Sequence, residues 1–200
     1  MSFSGNIKEE LAGHHAKARH CNLAELSALV EMAGAFGETE SGVCRLAIHT
    51  ENLRVARKGL TLLQKTFNIR TDIVVRRNTV KGSSSYHIYA RGEELLAVRQ
   101  AIVQAVCCKR AYIRGAFLAS GSMSDPSKSY HFEIVCEKER QAEHLKEMIN
   151  SFGLDAKIVK RKKAYVVYLK EGEQIVDILN VMEAHKALME LENVRILKEM

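Results

Sequence analysis

The residues best suited to chemistry in this chain are cations interleaved with tyrosines. Arg70, Arg76, Arg77, Lys81 and Arg91 gather on one strand-like stretch, with Tyr89 two residues before Arg91. Lys157, Lys160, Arg161, Lys162, Lys163 and Lys170 gather on a second, with Tyr168 two residues before Lys170. Strand side chains alternate between faces, so each tyrosine shares a face with the cation two positions on. A face that mixes aromatic and cationic groups suits a nucleic acid, the cations following phosphates on either side of a groove. The alternative is that lysine and arginine at strand edges only discourage aggregation. A net charge of +6, with 27% charged residues, fits a polyanion partner or plain solubility.

Metal and nucleophile chemistry finds less support. His14, His15, His20 and Cys21 are ligand types, but their spacing fits no common structural zinc site and reads as a solvated helix face. Cys107-Cys108 is vicinal, which suits burial at a helix start better than a redox motif. Five cysteines (Cys21, Cys44, Cys107, Cys108, Cys136), odd in number and without a C-x-x-C pair, predict the reduced thiols of a cytoplasmic protein. No glycine-rich phosphate loop or Ser-His-Asp arrangement stands out, so neither a metal nor a cofactor is expected. No apolar run is long enough for a membrane span, Met1–Glu10 has no secretory pattern, and no membrane partner is expected.

The elements that must position these groups come as a duplication. Leu26 to Gly34 and Ile113 to Gly121 carry the same small-residue helix pattern, offset by 113 − 26 = 87 residues. Each is followed by turn signals and a strand-like run, Val43 to His49 and Tyr130 to Cys136. An amphipathic helix comes next, marked by Leu53, Ala56, Leu60, Leu63 and Phe67 in one copy and Ala142, Leu145, Ile149 and Phe152 in the other. Both helices end alike, in Phe67-Asn68-Ile69 and Phe152-Gly153-Leu154. Two strands and a closing helix complete each copy. Helix, hairpin, helix, hairpin, helix gives an α+β fold with helices on one face of antiparallel sheets. Residues 1–21 form an N-terminal helical segment with Ile7 and Leu11 on one face. The copies span 22–106 and 107–200. Asn22 with Glu25 predicts a capping box at the start of the first motif helix.

Ala111, Gly115 and Ala119 share a helix face, as do Ala24 and Ala28. A face without bulky side chains lets two backbones approach, and a glycine in mid-helix costs about 1 kcal/mol unless packing needs it. With Gly34 and Gly121 closing the segments, these residues are the expected seam between the copies.

On these residues the two segments resemble the paired LAGLIDADG helices of homing endonucleases. In that fold the helices pack at a pseudo-twofold axis and an antiparallel β-saddle on each side lies on DNA. The opening Met1-Ser2-Phe3-Ser4 with Lys8-Glu9-Glu10-Leu11 is similar to the start of the WhiA family. So are the block Cys107 to Leu118, running on through Gly121-Ser122 and Pro126, and the segment Glu192-Asn193-Val194-Arg195. The resemblance covers essentially the whole chain. It implies a double-stranded DNA partner, regulation of transcription, and roles in sporulation, cell division and chromosome segregation in the bacterial nucleoid. WhiA-like chains continue into a helix-turn-helix domain. This chain stops at Met200 in a charged helix, so that domain and much of the sequence readout are expected outside it.

Metal-assisted cleavage needs carboxylates beside the scissile phosphate. The resemblance puts the two acids of the LAGLIDADG enzymes at Ala33 and Ser120, neither of which can ligate as a carboxylate. Glu31 is two residues earlier, about 200° around the helix from Ala33; Glu38 and Asp125 lie beyond the helix ends. The expectation is a regulatory DNA-binding domain that is not an enzyme. The alternatives are a surviving endonuclease using Glu31, Glu38 or Asp125, and a scaffold whose saddle takes a protein or small ligand.

Overall fold

The computed structural model describes residues 2–80 and 82–200, together forming two compact units. One comprises Ala12–Ala119; the other comprises Met1–Leu11 and Ser120–Met200.

The unit of Ala12–Ala119 begins its regular structure with α2 (Arg19–Ala33), after α1 (Phe3–Gly13). The capping box expected at Asn22 is absent. Ala18 takes the N-cap position of α2, so Asn22 and Glu25 fall inside the helix, where both are buried. Glu25 pairs with cations instead of capping. Strands β1 (Gly34–Glu38) and β2 (Cys44–Thr50) form the first hairpin and lead to α3 (Leu53–Phe67). Asn52 starts α3, its side-chain oxygen accepting from the backbone N–H of Arg54 at 2.9 Å and of Val55 at 3.4 Å. The buried face of α3 is Val55, Ala56, Gly59, Leu62, Leu63 and Thr66. Leu53, expected on that face, is exposed because it is the first helical residue and precedes the packed turn. Gly59 lies where α3 meets α2 and the sheet: a Cβ there would come within 3.3 Å of Leu29 and 3.4 Å of Ile48 and Ile88. Asn68 ends α3 in the left-handed conformation, φ 52°, whereas α6 ends at Ser151 in the right-handed region and the chain turns left-handed only two residues later, at Gly153 with φ 81°.

Strands β3 (Thr71–Asn78) and β4 (Ser83–Arg91) complete an antiparallel sheet of order β1-β2-β4-β3, which puts β2 and β4 inside and β3 at an edge. Leu46 and Ile48 of β2 and Ile88 and Ala90 of β4 face the core with Leu26, Leu29 and Val30 of α2. A short helical turn with α4 (Leu96–Arg99), then α5 (Val106–Ser120), close the unit.

The other unit repeats the plan. Strands β5 (Gly121–Met123), β6 (Phe132–Cys136), β7 (Lys157–Arg161) and β8 (Ala164–Leu169) form a sheet of order β5-β6-β8-β7. Helix α6 (Glu139–Asn150) buries Ala142, Leu145 and Ile149 of the expected stripe among Phe132, Ile134 and Val167, while Phe152, its fourth member, lies half-buried in the turn after the helix. Helix α7 (Gly172–Val181) and the charged α8 (His185–Glu199) follow. α1 belongs here through Phe3, Ile7 and Leu11. The Glu10 carboxylate accepts from the N–H groups of Lys186 at 2.8 Å and Ala187 at 3.1 Å, placing an acid at the N-terminus of α8. Among the described residues, no helix is long and apolar enough to cross a membrane.

Candidate functional site

Each sheet has a face turned away from its helices. In the first, pairing across the strands lines up Arg45 with Arg91, Ala47 with Tyr89 and Asp72, and His49 with His87 and Val74. His49 stacks on His87 at 4.5 Å between ring centroids, and His87 lies 6.4 Å from Tyr89. Arg76 joins this face opposite Ser85. The result is a row of three rings flanked by three guanidinium groups. Burial, then the charges of His49 and Arg76, hold the His87 imidazole below its usual 6.5. Among the described residues Arg45, Arg76 and Arg91 make no ion pair.

Arg45 and Arg91 stand directly opposite one another on interior strands. Like charges in that position destabilise a sheet. Edge protection does not account for Arg45, which is paired on both sides, with Gly37 and with Arg91; Arg91 ends β4, one residue beyond the Thr71–Ala90 pair where β3 begins. Arg76 and Arg77, by contrast, are on edge strand β3, and as adjacent residues they leave it on opposite faces. Both still border an open hollow shared with Ser83 and Ser85. Arg70 is exposed just before β3. Lys81 lies outside the described residues.

The second sheet is built on the same register with different side chains. His131, Glu133, Tyr168, Lys170, Lys157 and Arg161 share its open face. Glu133 sits in the middle. It holds His131 Nε2 at 2.8 Å and the Arg161 guanidinium at 3.2 and 3.4 Å. Burial alone would raise the Glu133 carboxyl, but the hydrogen bonds from His131 and Arg161, with the Arg161 charge, bring it below the usual carboxylate range. Lys170 Nζ lies 5.2 Å from the centre of the Tyr168 ring, and the His131 ring stacks on Tyr168 with centroids 6.1 Å apart. Lys157 pairs with Asp155 at 3.6 Å. Lys160 projects to the opposite face, 5.4 Å from the Tyr165 ring. Lys162 and Lys163 form the exposed two-residue turn of the β7–β8 hairpin, with Lys162 at φ 58°.

The seam residues fall as follows. Gly115 on α5 is pressed against α2: a Cβ there would be 2.3 Å from the Glu25 carbonyl oxygen and 3.1 Å from Ala28 Cβ. Ala24 and Ala111 are buried with Cys21 and Cys108 in a small apolar cluster. Ala119 is half-buried, Gly34 opens β1 and Gly121 opens β5. Gly34 owes its tightness to Ala47 O and Val30 O, at 2.5 and 2.9 Å from a notional Cβ, and so to the helix-to-strand turn.

Beneath that approach lies a buried charge cluster that the sequence reading missed. Glu25 Oε1 is 3.1 Å from Lys58 Nζ and 3.2 Å from Arg114 Nε, all three essentially without exposure. Lys58 also donates to the His14 carbonyl oxygen. Burial pulls the Lys58 ammonium below its usual value while Glu25 works against that fall. Removing one member would strand the others, a cost of about 3–5 kcal/mol.

Ala33 and Ser120 are the last residues of α2 and α5. The Glu31 carboxylate accepts from the Tyr112 hydroxyl at 2.5 Å. Glu38 is exposed on β1. Asp125 is exposed and accepts from the Ser127 N–H at 2.9 Å and hydroxyl at 2.6 Å, which lowers its carboxyl pKa.

Of the His and Cys residues, the structure separates His14 and His15 from His20 and Cys21, and brings the latter beside Cys107 and Cys108. Cys108 is buried as expected; Cys107 is exposed, because in the first turn of α5 adjacent residues point apart.

The family model described as the WhiA N-terminal LAGLIDADG-like domain matches residues 19–99, and that of the WhiA LAGLIDADG-like domain matches 109–200. A probable cell division protein WhiA of Lachnoclostridium phytofermentans is 49% identical over all of this chain and 71% of its own length. The protein of the same name in Alkaliphilus metalliredigens is 41% identical over all of this chain and 70% of its own length. Among solved structures, full-length WhiA from Thermatoga maritima superposes with a TM-score of 0.86 at 21% identity, covering 100% of this chain and 68% of that one. The homing endonuclease I-DmoI, in complex with DNA and manganese, superposes with a TM-score of 0.62 at 13% identity, covering 82% of this chain and 98% of that one.

Proposed function

As the chain belongs to the WhiA family, we propose that it is a DNA-binding regulatory domain without nuclease activity, acting in the control of transcription that accompanies cell division. The observation that carries this reading is the open face of the first sheet. Arg45 and Arg91 oppose each other beside the His49-His87-Tyr89 row on interior strands, a costly arrangement that phosphates would relieve. The DNA held by I-DmoI, a protein of the same fold, is consistent with this. The relatives are longer than this chain, and the helix-turn-helix domain of the family would supply further readout. Sporulation and chromosome segregation are roles the same binding could serve.

Side-chain chemistry speaks against cleavage. Ala33 and Ser120 have no carboxylate to offer a divalent cation, Glu31 and Asp125 are engaged by Tyr112 and Ser127, and Glu38, exposed on β1, would be a lone acid where a cation needs several ligands.

A mobility-shift titration with duplex DNA across salt concentrations tests the binding. The expected outcome is a complex at low salt that weakens linearly with log salt. No complex at low salt overturns it. Incubation with supercoiled plasmid and magnesium tests the second half: the plasmid should stay intact, and cleavage abolished by Glu31→Gln, Glu38→Gln or Asp125→Asn would reinstate the nuclease.

Glu133 favours a second reading for the other sheet. A central acid already holding His131 and Arg161 suits a protein or small ligand better than a phosphate backbone.

A further inference from the structure

The four side chains His20, Cys21, Cys107 and Cys108 come together in the Ala12–Ala119 unit with all their ligand atoms within 4.8 Å of one another. His20 Nδ1 is 3.1 Å from Cys108 Sγ, 3.5 Å from Cys21 Sγ and 4.0 Å from Cys107 Sγ. In a tetrahedral zinc site, with Zn–N about 2.0 Å and Zn–S about 2.3 Å, the nitrogen-to-sulfur edges are about 3.5 Å and the sulfur-to-sulfur edges about 3.8 Å. The three distances bracket that value. We propose that these four residues form a Cys3His site for a thiophilic divalent cation, zinc, clamping the first turns of α2 and α5 together.

The duplication explains how the set arises. His20 and Cys107 differ by 107 − 20 = 87 positions, and Cys21 and Cys108 by 108 − 21 = 87, the offset of the repeat itself. Each of the two motif helices, α2 and α5, contributes one dipeptide from the same place in its first turn. The close approach at Gly115 and the Ala24–Ala111 contact carry the two dipeptides into reach. No linear zinc signature is present because each half-site is only two residues long.

The surroundings suit a cation held by thiolates. Both dipeptides occupy the first turn of a 15-residue helix, where the partial positive charge of the N-terminus favours thiolate. Arg19, Lys109 and Arg110 flank them in sequence and offset the net negative charge of three thiolates on one dication. A dication at the centre lets each sulfur give up its proton to a shared positive charge instead of charging beside another sulfur. Cys21 and Cys108 form the buried half of the site, and the exposed Cys107 and His20 provide an entry path.

The test uses the full chain, reduced, stripped of metal and kept anaerobic, titrated with cobalt(II) as a spectroscopic stand-in and then with zinc. The proposal expects one equivalent of cobalt to bring up the ligand-field bands of a tetrahedral thiolate site with a sulfur-to-metal charge-transfer band, and zinc to displace it stoichiometrically. Zinc should protect three of the five cysteines from a thiol reagent and raise Tm by several degrees. Cys107→Ser and His20→Ala change exposed residues and should fold; each should weaken binding at least a hundredfold, while Cys44→Ser leaves it unchanged. No cobalt spectrum with all thiols reduced overturns the proposal, as does a spectrum that survives Cys107→Ser.

Discussion

The two sheets share one register and diverge in chemistry. Following the pairing, Ala47 of the first occupies the place of Glu133 in the second, Arg45 that of His131, and the His49-His87 pair that of Val135 and Val166. Tyr89 and Tyr168 correspond, as do Arg76 and Arg161. In the first sheet the cations have no acid among them except Asp72, and their repulsion is left in place. In the second, the acid sits at the centre, its cations are neutralised, and an apolar strip replaces the histidines. A duplicated scaffold has therefore kept its backbone while the two open faces moved apart, and DNA affinity should be lopsided.

The largest effect should come from the first sheet. Replacing Arg45 and Arg91 together by alanine removes two unneutralised cations; DNA affinity at low salt should fall about tenfold or more and the salt slope by about two. Removing two cations from the open face of the second sheet, Lys157→Ala with Lys170→Ala, should cost about threefold or less, because those cations already have Asp155 and the Tyr168 ring. Equal losses in the two double variants would erase the comparison.

Exchanging the acids should sharpen it. Glu133→Gln frees Arg161, and one added phosphate contact should strengthen binding about threefold. Ala47→Glu puts the acid into the first sheet between Arg45 and Tyr89 and should weaken binding by at least as much. Competition binding on the same duplex measures both. A weaker complex after Glu133→Gln would mean that this carboxylate positions Arg161 for a ligand.

Much of this was legible in the sequence. The repeat offset and the two-stranded runs gave the element order of both units, and the stripes of α3 and α6 mark core helices, with Leu53 exposed, Leu60 and Phe67 half-buried, and Phe152 half-buried beyond the end of α6. The Tyr89–Arg91 pair was visible from alternation alone. Arg45, His49 and His87 were missed because each is isolated among apolar neighbours and becomes a site only when β2 and β4 pair, a contact about forty residues distant in the chain. Glu25 was misread because a capping pattern and a buried ion pair use the same residue type, and only Lys58 and Arg114 from other helices separate the two. The His20-Cys21 and Cys107-Cys108 dipeptides carry no metal signature singly; only their shared 87-residue offset joins them.

The smallest effect is one of pH, and it separates the sheets by window. The folded pKa of His87 is depressed below 6.5, so the unfolded chain takes up that proton first as pH falls. Stability contributed by neutral His87 is thus complete above 6.5 and lost as pH falls through the lower, folded value. Glu133 is also depressed, from 4.5, so its contribution holds above that value and is lost only at more acid pH. Bound phosphate reverses the balance at His87, since an anion beside the ring favours imidazolium. Binding should then take up a proton, and affinity should rise about twofold between about pH 7.5 and 6, as the unit itself becomes slightly less stable. Following the His87 ring protons by NMR with and without duplex measures the pKa directly, and His87→Gln should flatten the affinity profile. A His87 pKa that DNA leaves unmoved would take the stacked row off the contacting face and leave the arginines to carry the interface alone.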